Sequence, residues 1–419
     1  VRERLGAHAQ EDTMQGKTAA HQILCAFALL GLAASCFSSS TPGDHGPADA
    51  TSPVDAAEDA SIGARTDASG ERRPDGTAPS DSGNPQSGPD ASTDATESMD
   101  AAPEASAGEA GAACAGDLGK IYIADGLVND RIVRIDDMCG TNWVALQTEP
   151  GADVATSFGS PEGVFVDGAG KIYIADTFGG NEIIRMDDMT GTNWTTVGST
   201  GSGTLEFNAP KNVFVDSGGH IYVTDSFNYR IVRMDDMTGT NWTTFGTRGT
   251  GVDQFSVPTG IFVDGAGRIY VTDSDVANEF DRIVRIDDMT GTNWTTFGTN
   301  GSGVNQFSAL WGIFVDAAGH IYVTDAGVNA RVVRMDDMNG TNWTTYGTFG
   351  MGAPGDFYSP ASIFVDANGR IYVVDAANAY PNDNGVVRMD DMTGKNWIRF
   401  GKGGSGVGEF SQATGLWVH

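Results

Sequence analysis

Residues 258–308 read PTGIFVDGAGRIYVTDSDVANEFDRIVRIDDMTGTNWTTFGTNGSGVNQFS, and their internal punctuation decides the fold. Four short runs, GIFVD, RIYVTD, RIVRIDD and NWTTFG, are rich in β-branched and aromatic residues and are separated by Gly, Asn and Asp. Each run therefore reads as a strand and each gap as a turn. The unit recurs. The phrase IYxxD places tyrosine at 122, 173, 222, 270, 322 and 372, with spacings of 51, 49, 48, 52 and 50 residues. Helical periodicity is absent. Four strands per period of about 50 residues is the pattern of a propeller blade, a unit that buries its faces only against its neighbours.

The two ends of the repeat region set the blade count. The first copy begins at GKIYIAD and lacks a GIFVD-type strand, whereas the chain finishes ATGLWVH, which matches PTGIFVD with nothing after it. Six tyrosine strands are thus matched by six first strands, at 163–167, 212–216, 260–264, 312–316, 362–366 and 415–419. The expected fold is all-β: a six-bladed propeller, residues 115–419, in which the C-terminal strand pairs with the N-terminal blade and closes the ring. The pattern GIFVDGAGRIYVTD, a following NRIVR-like strand and connectors such as GTGVDQFSVP resemble NHL repeats. The resemblance spans about 117–419 and implies the propeller fold. For function it implies only a range, because such propellers serve as lyases, protein-binding platforms and RNA-binding modules.

Two other materials precede the repeats. Residues 14–36, MQGKTAAHQILCAFALLGLAASC, have a short polar start, an apolar run from Ile23 to Ala34 too short to span a bilayer comfortably, and small residues before Cys36. This resembles a bacterial lipobox, departing from the usual pattern at Ala33, and implies lipidation of Cys36. Plain secretion and a retained anchor helix are the alternatives. Met14 is the expected start, and residues 1–36 are assigned to upstream residues and signal peptide. Residues 37–114 hold eight of the fifteen prolines, no aromatic residue after Phe37, and fifteen acidic residues against Arg65, Arg72 and Arg73, a net of −12. Such a segment buries too little apolar surface to offset chain entropy and is expected to be a disordered tether. A flexible coil of that length spans roughly 50 Å r.m.s.. The expected localisation is extracytoplasmic, lipid-anchored at the cell envelope, and otherwise secreted.

The formal charge of the chain is −30, of which −18 lies outside the tether. No basic stripe interrupts it, so nucleic acid is not an expected partner. Of the four cysteines, Cys25 lies in the apolar run and Cys36 is the lipidation candidate. Cys114 and Cys139 remain as an expected disulfide, the alternative being two unpaired small residues.

The phrase RMDDMTGTNWTTFG, found from Arg233 and repeated with edits in every copy, carries two aspartates each time. Asp and Gly at those places are turn chemistry. The alternatives, six weak divalent-cation sites or paired-carboxylate catalysis, fit less well, since hydrolytic pairs need one asymmetric cleft. No cofactor and no metal site are expected. Asp125, Asp176, Asp225, Asp273, Asp325 and Asp375 are read as loop anchors, and the six NW tryptophans as packing. His220 and His320 stand where other copies have Lys171, Arg268 or Arg370, a position read as a solvated turn. Sequons at Asn193, Asn241, Asn293 and Asn342 carry little weight under the lipobox reading, which implies a bacterial chain.

Recognition is expected where the copies disagree. Loops between second and third strands vary, while the hairpins on the other face do not. Two residues before each first-strand hydrophobe, the copies read Glu162, Lys211, Thr259, Trp311, Ala361 and Thr414, with Asn212 and Ser362 replacing the adjacent glycine. Glu162, Lys211, Asn212, Thr259, Trp311 and Thr414 are the candidate binding residues. Phe178, Phe227, Tyr229, Phe280 and Tyr380 are expected to flank them. Such a surface suits a peptide, protein, glycan or small molecule, bound by a monomer without catalysis. The second reading is a lyase or lactonase. The resemblance implies that such an enzyme would use several histidines, or a His or carboxylate with Asn; the variable face offers no His, and Glu162 with Asn212 is a thin equivalent.

Overall fold

The computed structural model describes residues 119–149, 157–275, 277, 279–351, 353–376 and 384–419. The signal peptide, Cys36, the tether, Cys114 and Tyr380 lie outside the described residues. Among the described residues no helix is long and apolar enough to cross a membrane.

Six four-stranded antiparallel sheets form a six-bladed propeller. Blade 4, which carries the unit quoted above, runs Pro258–Val263, Ile269–Asp275, Phe280–Ile286 and Thr295–Phe297 from axis to rim. Blades 2, 3, 5 and 6 repeat it from Pro161, Pro210, Leu310 and Pro360. Blade 1 is composite: Ala413–Val418 supplies the first strand to Ile121–Asp125, Arg131–Ile135 and Val144–Leu146. Ile121 pairs with Val418, Tyr122 with Trp417 and Ile123 with Leu416, so the C-terminal strand closes the ring as expected. Each second strand is buried along its length because both faces of its sheet meet a neighbouring blade, which is why IYVTD is a continuous apolar run rather than an alternating one. The rim strands are short and half-exposed, and threonine suits them.

The first strands touch one another in a closed cycle around the axis. In four of the six blades their approach is close enough to require glycine. A Cβ on Gly260 would stand 2.4 Å from the Trp311 carbonyl oxygen, and one on Gly415 would stand 2.5 Å from that of Glu162. Asn212 and Ser362 occupy this position in blades 3 and 6, which face each other across the ring. Below the glycine level, Phe165, Phe214, Phe262, Phe314, Phe364 and Trp417 form a closed ring of aromatics, each 4.2–5.0 Å from the next by ring centroid. Tilted and edge-on geometries of this kind are favourable for aromatic pairs.

The repeated aspartates are turn parts. In the third-to-fourth-strand hairpin of blade 3, Asp235 accepts a hydrogen bond from the Asn241 side chain at 2.6 Å and pairs with Arg233 at 3.0 Å. Asp236 accepts the Thr238 backbone N–H and hydroxyl at 2.8 and 2.6 Å. Gly239 and Asn241 take φ of +75° and +53°. The same bonds recur around the ring, for example Asn142 to Asp136 and Asn396 to Asp390. Among the described residues no group of three or more His, Cys, Asp or Glu is placed to hold a metal ion.

The tryptophans pack as expected, each against the phenylalanine of the connector that leads into its blade, as Trp242 on Phe207 at 5.1 Å and Trp343 on Phe307 at 5.3 Å. One expectation needs correction. The position of His220, Arg268, His320 and Arg370 is not a merely solvated turn. Each side chain bonds the aspartate four residues earlier, at 2.6–2.8 Å, and locks the first hairpin of its blade. Arg and His interchange there because each brings a side-chain nitrogen donor to the same carboxylate, whereas Lys171 bonds Asp167 through its backbone N–H.

Candidate functional site at the channel mouth

Each first strand begins at the face that carries the second-to-third-strand loops, so its opening residues surround the axis there. Glu162, Lys211, Thr259, Trp311, Ala361 and Thr414 line one pocket together with Asn212, Gly312 and Ser362. All six candidate binding residues are therefore brought together. The enclosed space is small, about 20 Å³, room for roughly one water molecule. It is too small to take a larger group.

The charges in the mouth are already joined. Lys211 Nζ lies 2.6 Å from Glu162 Oε2 and 5.3 Å from the centre of the Trp311 ring. The lysine and glutamate side chains are 16% and 13% exposed, so the pair is screened from bulk water more than a surface bridge. Glu162, Lys211 and Trp311 come from blades 2, 3 and 5. Trp311 is half-buried, with the Lys211 ammonium over its ring.

A hydroxyl relay fixes half of the mouth. Thr272 Oγ1 accepts the Gly260 N–H at 2.7 Å and donates to the Trp311 carbonyl at 2.7 Å, tying the first strand of its own blade to the next. Thr224 and Thr324 do the same, reaching the Thr259 and Ala361 carbonyls at 2.8 and 2.7 Å. Thr259 adds its own hydroxyl, 2.9 Å from that of Thr272. Blades 1, 2 and 6 carry Ala124, Ala175 and Val374 instead, so the relay spans blades 3 to 5 only. The change from IYIAD to IYVTD was visible in the sequence, but its meaning depends on a carbonyl of the adjacent blade.

Around the mouth, the aspartate that ends each second strand anchors the connector. Asp225 accepts Asn208 N–H and binds Arg230 at 2.8 Å; the arginine in turn donates to the Ser202 and Glu206 carbonyls. Asp125, Asp273 and Asp325 use Arg131, Arg282 and Arg331 in the same way, and Asp375 uses Arg399 from the fourth strand. Blade 2 is the exception. Asp176 is buried, accepts only backbone donors from Gly159 and Ser160, and faces Glu182 where an arginine would stand. Burial pushes the Asp176 carboxyl up to about 7, against about 6 for Asp273, Asp325 and Asp375, whose arginines pull back. Of the expected flanking aromatics, Phe178 is exposed, Tyr229 lies under Arg248, and Phe280 lies against Arg282. Cys139 is disulfide-bonded.

Fold and mouth together define a closed six-bladed β-propeller with a small axial pocket on its variable face. No family model matches the chain, and no curated protein matches it. Among solved structures, a protein of unknown function from Bacteroides caccae aligns with a TM-score of 0.50 at 12% identity, over 71% of this chain and 98% of that one. Virginiamycin B lyase from Staphylococcus aureus, in an inactive form with quinupristin, aligns with a TM-score of 0.41 at 16% identity, over 67% and 73%. YCF48 bound to D1 peptide gives 0.41 at 14% identity, over 68% and 78%. At such identities the likeness concerns the fold alone.

Proposed function

We propose that this protein is a non-catalytic binding platform, held outside the cytoplasm by a lipid on Cys36 and a tether, whose recognition site is the channel mouth. The supporting observation is that one pocket gathers a carboxylate, an ammonium, an indole and an amide from a scaffold that otherwise repeats its residues closely. A peptide, a protein segment, a glycan or a small molecule fits this chemistry, with Trp311 as the flat apolar anchor. The reading is tested by screening peptide, glycan and metabolite libraries against the protein and its Trp311→Ala variant. Ligands that lose roughly 2 kcal/mol or more in the variant, with the melting curve preserved, support it. Hits that bind both forms equally, or a variant that does not fold, overturn it. For the anchor, Cys36→Ser should abolish incorporation of labelled fatty acid and release the protein from the membrane fraction; unchanged labelling would refute lipidation at that residue.

A further inference from the structure

We propose that the channel mouth is a seat for an organic ammonium group and that Lys211 is its resident occupant. The inference rests on the binding-platform reading and names the ligand chemistry of that site. Lys211 Nζ sits between the Glu162 carboxylate at 2.6 Å and the Trp311 ring at 5.3 Å, and these two partners come from different blades. A carboxylate and an indole face converging on one point is the arrangement that recognises a cation. Asn212, at the lip, offers a further carbonyl acceptor, and no hydrogen bond to its side-chain amide is present among the described residues.

The trio is not required by the fold. The equivalent positions in the other blades are Thr259, Ala361 and Thr414, and those blades pack by the same strand contacts with no charge there. Blade 3 itself is tied to blade 4 through Thr224, not through Lys211. The lysine stem is long and flexible, so it can leave the pocket for water, and an incoming ammonium then takes over both of its contacts. Glu162 and Trp311 lose nothing in the exchange. The incoming group competes with a tethered occupant, whose effective concentration is on the order of millimolar or above, and its apparent affinity is lowered accordingly. The acidic chain, at −30, favours approach of a cation.

Two sources present this chemistry, a lysine side chain on a peptide and a free polyamine. Calorimetry on the full chain at low salt and pH 7 separates them, using N-acetyl-Gly-Lys-Gly amide, spermidine, and N-acetyl-Gly-Glu-Gly amide as the carboxylate control. Lys211→Thr, which places in blade 3 the residue of blades 1 and 4, should bind at least one ammonium probe about tenfold more tightly than the native protein. Lys211→Met is a second variant should the first melt early. Adding Glu162→Gln or Trp311→Ala to Lys211→Thr should each reverse the gain. Ammonium binding that is absent in every form, unchanged by Lys211→Thr, or enhanced independently of Glu162 overturns the proposal. A carboxylate probe that binds the native protein and is lost in both Lys211→Thr and Trp311→Ala overturns it while leaving the platform reading intact. The absence of any Trp311-dependent ligand in the library screen is the separate failure of that reading.

Discussion

Asp176 and Glu182 face each other in cross-strand register in blade 2, at the position where blades 1, 3, 4 and 5 pair an aspartate with an arginine. Burial raises both carboxyls, Asp176 to about 7. A group raised in the folded state binds more protons there than in the unfolded chain. Its stabilising share is full below the unfolded value near 4 and is lost as pH rises through about 7. Glu182→Arg supplies the missing cation. The gain in unfolding free energy over the native protein should grow between pH 4 and 7 and reach on the order of 2 kcal/mol at neutrality. Urea titrations of both proteins across that range provide the check; a gain independent of pH would contradict the assignment.

Closure of blade 1 should dominate stability. Deleting 413–419 exposes the edge of Ile121–Asp125 and opens the aromatic ring at Trp417. Its melting temperature should fall far more than that of a chain lacking 37–110. Trp417→Ala alone should cost about 3 kcal/mol, since it removes a large partly buried side chain from a closed packing ring. A deletion that melts like the parent would show that the pairing is dispensable.

The hydroxyl relay behind Trp311 gives a prediction that separates positioning from contact. Thr272→Val leaves the Gly260 N–H and the Trp311 carbonyl without their shared partner. The cost should be about 1–3 kcal/mol in stability. Ligands that depend on Trp311 should weaken in the variant although Thr272 touches none of them, while Thr324→Val should cost similar stability and weaken binding less. Paired melting and binding measurements on the two variants decide it.

Cys139 should be found linked to Cys114 by non-reducing peptide mapping, and reduction should lower stability by roughly 3 kcal/mol, the figure for a closed loop of about 25 residues. A peptide joining Cys139 to any other thiol would reject this pairing.

The architecture was legible because each element of it is periodic. IYxxD, the turn phrase and the GIFVD glycine repeat six times or nearly so, and the orphan strand ATGLWVH announces its own partner. The mouth was legible for the opposite reason: Glu162, Lys211 and Trp311 break a period at one fixed offset from the first strand. What could not be read were relations between blades. Nothing near Thr272 in sequence points to the carbonyl of Trp311, and nothing near Lys211 says that its ammonium turns to Glu162, 49 residues earlier, rather than to solvent. The role of His220 and Arg268 was incompletely read, because tolerance of several residue types pointed to solvation while the aspartate four residues earlier accepts from both.

The composite blade also has a consequence in time. Among the strands of the propeller, Ala413–Val418 is synthesised last, and its partner Ile121–Asp125 is synthesised first. Blade 1 cannot complete until residues 413–418 are free to move. Any nascent chain, and any product truncated before residue 413, is left with an open edge. Synthesis through residue 418 is thus a condition for the longest-range contact of the fold, which makes ring closure the expected slow step of folding.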